Sequence, residues 1–246
     1  MSGSRILSGL TEKFQTMKLE LQEKMGLAFI LGLFLAKKNK KGTRATVIDL
    51  RGPAQVKLAS RETQSGKSFW KRGDRDLRKL DGLVLHQMGF QRGPDPTRYL
   101  GIPAHYIITT DGTIAQLHDW QRYLYTSSAL NSWTVSVEVA GNFRGPDGKW
   151  YQGDKNGRDT LNSAQVRALR ELVGIVDAQM AANGSRLNSL WGHRQGSPQR
   201  QIDPGPEIWA SVVPWANAQY GLEDTSQMHV ADGLPIPESW KGGSIA

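Results

Sequence analysis

Two periods run through the apolar positions of the chain, and each predicts an element. Between residues 163 and 182, Ala164, Leu169, Leu172, Val173, Val176 and Met180 share one face of a 3.6-residue helix, and Asn183-Gly184 supplies a stop. From Val135 the period is two. Val135, Val137 and Val139 alternate with Ser136, Glu138 and Ala140, so on a strand the valines enter a core and Glu138 faces the other side. Residues 105 to 109 and 113 to 117 alternate around Asp111-Gly112, which predicts a hairpin. Leu83 to Leu85 form a short apolar run between Asp81-Gly82 and Met88-Gly89, placing His86 at the end of a buried strand. Residues 46 to 50 read as one more strand, ended by Gly52-Pro53, and Pro206 suits the first turn of a helix through Trp209 and Val212.

The first 41 residues follow another pattern. Leu7, Leu10, Phe14, Met17 and Leu21 recur at spacings of three and four, a helical stripe. An uncharged apolar run then spans residues 25 to 36 and is followed by Lys37-Lys38-Asn39-Lys40-Lys41. A helix of that length reaches about 18 Å, short of the roughly 30 Å of a bilayer's hydrocarbon core. The run also starts late, follows glutamates and precedes lysines, which fits a cleaved secretion signal poorly. Three readings stay open: docking on a protein partner or a second copy, association with a membrane, and packing on the chain's own domain.

Charge changes the picture in one respect. The net charge is +8, but residues 1 to 45 carry nine Lys or Arg against three Glu, leaving the remainder nearly neutral. A basic groove for nucleic acid is therefore not expected. There is no cysteine, so any metal must be held by His, Asp or Glu.

The stretch from Leu190 to Pro206 places His193 and Asp203 ten positions apart among three prolines and three glycines. It cannot run as one helix or one central strand, so the two side chains meet through a shaped loop. Imidazole and carboxylate both bind zinc, and a catalytic zinc takes three protein ligands plus water. His86, at its strand end, is the candidate third.

Four motifs in order now resemble a known family: His86 after an apolar strand; Ala104-His105-Tyr106-Ile107-Ile108 with Asp111-Gly112; Asn131 before Val135 to Gly141; and Gly192-His193-Arg194 with Asp203-Pro204-Gly205. They are similar to the zinc-dependent N-acetylmuramoyl-L-alanine amidases, which include phage lysozyme-type amidases and peptidoglycan recognition proteins. The resemblance implies an α/β fold with a central mixed β-sheet flanked by helices, here carrying an N-terminal helical extension. It also implies Zn2+ held by His86, His193 and Asp203, with Glu138 as general base. His105, Asn131, Arg194 and Arg200 fall where substrate would be bound. Where hydrolytic members commonly carry a lysine that stabilises negative charge, this chain has Gln201, with Arg200 beside it; where they often have a tyrosine, it has Ala104.

The implied organisation is a helical or apolar docking or membrane-associating segment over 1–41, a linker with one strand over 42–79, a zinc amidase domain over 80–218 and a tail or docking strap over 219–246. The implied substrate is peptidoglycan, cut between N-acetylmuramic acid and L-alanine at the bacterial wall, in the periplasm or outside the cell. Delivery by a phage tail or injection apparatus is compatible with this. The alternatives are a module that binds muropeptide without cutting it and a structural part of such an apparatus.

Overall fold

A strand that buries alternate valines needs helices to cover that side, and parallel neighbours need connections long enough to supply them. The computed structural model describes residues 46–59, 74–145 and 147–241, all within one unit, Gly42–Ala246. The segment over 1–41 expected to dock or to touch a membrane lies outside the described residues. Among those described, no helix is long and apolar enough to cross a membrane.

Six strands, β1 (Val47–Asp49), β2 (Gly82–Gln87), β3 (Tyr106–Ile108), β4 (Ile114–Gln116), β5 (Thr134–Val139) and β6 (Ser189–Gly192), form a mixed sheet in the order β1-β4-β3-β5-β2-β6. β3 and β4 pair antiparallel, and the other neighbours pair parallel. The helices are α1 (Arg51–Ala59), α2 (Ser163–Ala182) and α3 (Pro206–Tyr220). This is the α/β architecture expected, with helices against the sheet.

Val135, Val137 and Val139 enter the larger core with Leu83 and Leu85, against Leu169, Leu172 and Val176 of α2 and Ile208, Trp209 and Val212 of α3. Each such side chain taken from water contributes about 1.5–3 kcal/mol. α2 starts where Asn162 caps it: its carboxamide oxygen accepts from the N–H groups of Ala164 and Gln165, both at 3.0 Å. The β3–β4 turn is set by Asp111, which accepts from Thr109 Oγ1 (2.6 Å) and Thr113 N (3.1 Å). Gly112 follows at φ +85°, where an added Cβ would stand 2.7 Å from the Ala164 carbonyl oxygen, so the N-terminus of α2 approaches too closely for any side chain.

One boundary differs from the expectation. Gly52-Pro53 does not end a strand and open a linker; it sits in the first turn of α1, where a proline loses no helical hydrogen bond. β1 pairs with β4 as the sheet's edge, while Ala54 and Leu58 of α1 are buried. Residues 46–59 therefore contribute to the domain. The C-terminal stretch is likewise packed on it: Leu222, Ile236 and Trp240 join the larger core. This strap adds hydrogen bonds from Val230 N to Gln195 O and from Leu234 N to Arg194 O, each 2.8 Å.

Trp240 anchors the strap with 1 % of its surface exposed, and its indole N–H is buried without a hydrogen-bond partner. Trp240→Ala is expected to lower stability by about 3–5 kcal/mol. Trp240→Phe should cost far less, because it keeps most of the ring and removes the unpaired donor. Urea unfolding followed by circular dichroism checks both.

Candidate active site

Register builds the site. His86 on β2 lies directly opposite Glu138 on β5, and on β2's other side Leu85 lies opposite Gly192, the residue before His193. His86 and Glu138 project from the sheet face opposite the valines, and the chain turns away at His193–Gly196. The segment from Arg194 then returns Asp203 to the same point, closed by Arg194 N donating to the Asp203 carbonyl at 3.0 Å.

His86, His193 and Asp203 each bring a ligand atom within 4.8 Å of the other two. His193 Nδ1 is 3.0 Å and His86 Nδ1 3.5 Å from Asp203 Oδ2. Tetrahedral zinc with bonds of roughly 2.0–2.1 Å sets ligand atoms about 3.3 Å apart, so these separations suit it. All three residues are buried. His86 Nδ1 has no hydrogen-bond partner, and neither does Glu138 Oε2. A lone pair that is buried and unpaired beside a carboxylate fits a cation. The remaining polar atom of each of the three is held: Asp203 Oδ1 by Gln87 N (2.9 Å), His86 Nε2 by Ser127 Oγ (2.9 Å) and His193 Nε2 by Ser128 Oγ (3.3 Å).

The charges answer one another. Burial opposes ionisation of Asp203, but the imidazoles beside it hold its carboxyl below the ordinary value. Burial works against a proton on His86, yet Asp203 and Glu138 outweigh it and raise its pKa. His193 is brought down to about 4, first by burial and then by His86. Glu138 is raised by burial, with His86 pulling it down, Asp203 pushing it up and Arg200 pulling it down. A carboxyl with a raised pKa, an unpaired oxygen and a partly open side chain has the properties of a general base.

Other expected site residues are placed differently. His105 is 1 % exposed and sits beneath the site. Its Nε2 is 2.9 Å from the guanidinium of Arg75, which can only donate, and its Nδ1 lies 2.9 Å from Ser136 Oγ and 3.1 Å from the Ser136 backbone N–H, so both ring nitrogens are engaged inside the fold. No face is left for substrate; His105 supports β5 two residues before Glu138. Asn131 is buried, and its side-chain oxygen accepts from Thr126 N (3.0 Å) and Ser127 N (2.6 Å), shaping the turn that carries Ser127. Arg194 donates to Pro235 O (2.9 Å) and to Gln201 O, and stacks over Trp240. It clamps the strap to the loop. A polar residue at a strand end or beside a ligand can serve the scaffold as readily as the ligand, which spacing alone does not distinguish.

Arg200 is exposed at the rim, donates to Tyr151 OH at 3.2 Å and acts electrostatically on Glu138. Gln201 is exposed. Residues not singled out in the sequence complete the site. Gln87 bonds Asp203 through its N–H, Ile202 O through Nε2 (2.6 Å) and Phe143 N through Oε1 (2.9 Å). Arg75 is pulled down to about 10 by burial, which leaves it a cation, and donates to the carbonyls of Trp120, Asn131 and Thr134. The signal for Gln87 was its place beside His86 on a buried strand; Arg75 stood among several arginines with nothing to mark it.

Arg75→Met keeps much of the stem but strands those carbonyls in the interior. At about 1–3 kcal/mol for each buried acceptor left unpaired, the variant is expected to lose several kcal/mol of stability. A shifted denaturant midpoint with unchanged slope is the measurement.

Residues 76–206, more than half of the chain, match the family model described as N-acetylmuramoyl-L-alanine amidase. No curated protein matches. Among solved structures, the chain resembles the N-acetylmuramoyl-L-alanine amidase LysC from Clostridium intestinale URNW at 14 % identity and TM-score 0.46, over 72 % of this chain and 99 % of that one. It resembles PGRP-SA of Apis mellifera at 13 % identity and TM-score 0.47, over 73 % and 99 %. It resembles drosophila peptidoglycan recognition protein SD at 16 % identity and TM-score 0.46, over 73 % and 98 %.

Proposed function

This chain belongs to the N-acetylmuramoyl-L-alanine amidase family, and from that premise we propose that it is a zinc-dependent peptidoglycan amidase. In this reading it hydrolyses the amide between N-acetylmuramic acid and the L-alanine of the stem peptide, at the bacterial wall. The observation that carries the reading is the buried convergence of His86, His193 and Asp203 beside a glutamate whose oxygen has no partner. Zinc bound by those three supplies a Lewis acid that makes water nucleophilic near neutral pH.

The chain's own residues do the rest. Glu138, in register with His86, takes a proton from the attacking water as its oxygen adds to the amide carbon. It returns that proton to the nitrogen as the C–N bond breaks, leaving a carboxylic acid on the sugar side and a free amine on L-alanine. Its raised pKa suits both transfers. Arg200, hydrogen-bonded to Tyr151, is the arginine whose charge acts on Glu138, and in this reading it takes the role that a lysine at position 201 would have. Gln201 offers a neutral donor at most, which is roughly half as strong as a charged one.

The test is release of L-alanine amino termini from isolated walls. A chelator is expected to abolish release and added zinc to restore it. Glu138→Gln should lower the rate by about 10²–10⁴ while keeping zinc bound. Asp203→Ala should lose the metal itself. Zinc binding by the intact protein with no amino termini released would instead identify a wall-binding module. Arg200→Ala should reduce kcat more than Gln201→Ala does, and the reverse order would return the charge-stabilising role to position 201.

A further inference from the structure

We infer, resting on the zinc reading above, that the adjacent serines Ser127 and Ser128 determine how tightly the metal is held, each by fixing the outward nitrogen of one histidine. Ser127 Oγ lies 2.9 Å from His86 Nε2 and Ser128 Oγ lies 3.3 Å from His193 Nε2. In an extended chain, consecutive side chains point to opposite sides. Here Ser128 adopts φ +55°, a left-handed conformation uncommon for residues other than glycine. Both hydroxyls thereby reach imidazoles whose centroids are 4.6 Å apart.

The turn is held from below. Asn131 accepts from the backbone N–H groups of Thr126 and Ser127, and Arg75 holds the Asn131 carbonyl at 2.7 Å. It is also held from the side, because a Cβ at Gly196 would stand 2.8 Å from Ser127 O. The His193–Gly196 turn therefore packs directly on the serine turn.

Tautomer gives the contacts their meaning. The nitrogens aimed at Asp203 are both Nδ1. To offer a lone pair to a cation there, each imidazole must carry its proton on Nε2, and a buried N–H needs an acceptor. Ser127 Oγ accepts it and turns its own hydrogen toward Thr126 Oγ1, 2.9 Å away. The opposite tautomer, with serine donating to Nε2 and Nδ1–H donating to Asp203, is the relay of a serine hydrolase. Ser127 has no exposed surface with which to attack a substrate.

The experiment measures zinc dissociation constants of the full chain against a chromogenic chelator, for the unaltered protein, Ser127→Ala, Ser128→Ala and a control, Ser185→Ala. Among the described residues, the Ser185 hydroxyl bonds the end of α2, at Met180 O, away from the site. Ser127→Ala should weaken zinc binding by about 10–100-fold, Ser128→Ala by less, in keeping with its longer contact, and the control not at all. The visible bands of the cobalt-substituted protein should shift in Ser127→Ala, a change that lost stability alone would not produce, while the metal-free form should melt lower because the buried His86 Nε2 loses its partner. Should Ser127→Ala fail to fold, the exposed Ser128→Ala carries the comparison. Affinities of both serine variants within twofold of the unaltered protein, or labelling of Ser128 by a fluorophosphonate in the metal-free form, overturn the inference while leaving the amidase reading in place. An unaltered protein that binds no zinc overturns the amidase reading, and this inference with it.

Discussion

The site depends on a single carboxylate, that of Asp203, standing between two imidazoles where water is largely excluded. An ionised carboxylate in such a place is costly unless every lone pair finds a partner. One oxygen receives the Gln87 N–H at 2.9 Å; the other faces His193 at 3.0 Å and His86 at 3.5 Å. Turning either imidazole away would leave that oxygen without a facing ring nitrogen, so the carboxylate fixes the histidines as much as they fix it. The same arrangement makes a cation the natural occupant. Its charge satisfies Asp203 and the unpaired His86 nitrogen together.

Such a focus needs a rigid frame, and the frame reaches beyond the stretch that matches the family. Arg75 lies one residue before residues 76–206, yet it ties β5, the Asn131 turn and His105 into one block. Beyond residue 206, the strap accepts two hydrogen bonds from Gln195 Nε2, at Thr225 O (2.6 Å) and Met228 O (2.9 Å), while Gln195 Oε1 receives Gly192 N at 2.8 Å. Gln195 is buried between the His193–Gly196 turn and the C-terminal strap. The residues of the candidate site come from the matched core, and part of their alignment comes from its flanks.

Much of this was legible in the sequence because it is written in periods. The valine alternation of residues 135–139 placed Glu138 on the far side from the core, and the helical face of residues 163–182 returned the observed bounds of α2. The His193-to-Asp203 loop was legible as a loop because proline and glycine leave no regular alternative. What could not be read was which polar residues spend their hydrogen bonds inside the fold. His105 and Asn131 sit in sequence where substrate contacts were expected, but Arg75 and the backbone of residues 126–127 claim them. Helix α1 was hidden because Gly-Pro is as good a strand terminator as it is a first helical turn, and only the burial of Ala54 and Leu58 separates the two.

Three arginines near the site show how placement decides what a charge can do. The Arg75 cation is surrounded by carbonyl oxygens and an imidazole, so its donors are committed and it works as a brace. Arg194 gives one edge to the strap, another to the loop and its plane to Trp240. Arg200 bonds a single phenol and stays exposed. A guanidinium has five N–H donors, and Arg200, exposed at the rim, commits one of them to Tyr151. An incoming oxyanion would need donors that the fold has left uncommitted, and among these three only Arg200 is placed to offer them. Gln201, whose carbonyl is taken by Arg194, has a neutral amide for the same task. Under the proposed amidase reading, charge stabilisation would therefore fall to position 200, with the glutamine at position 201 in a lesser part.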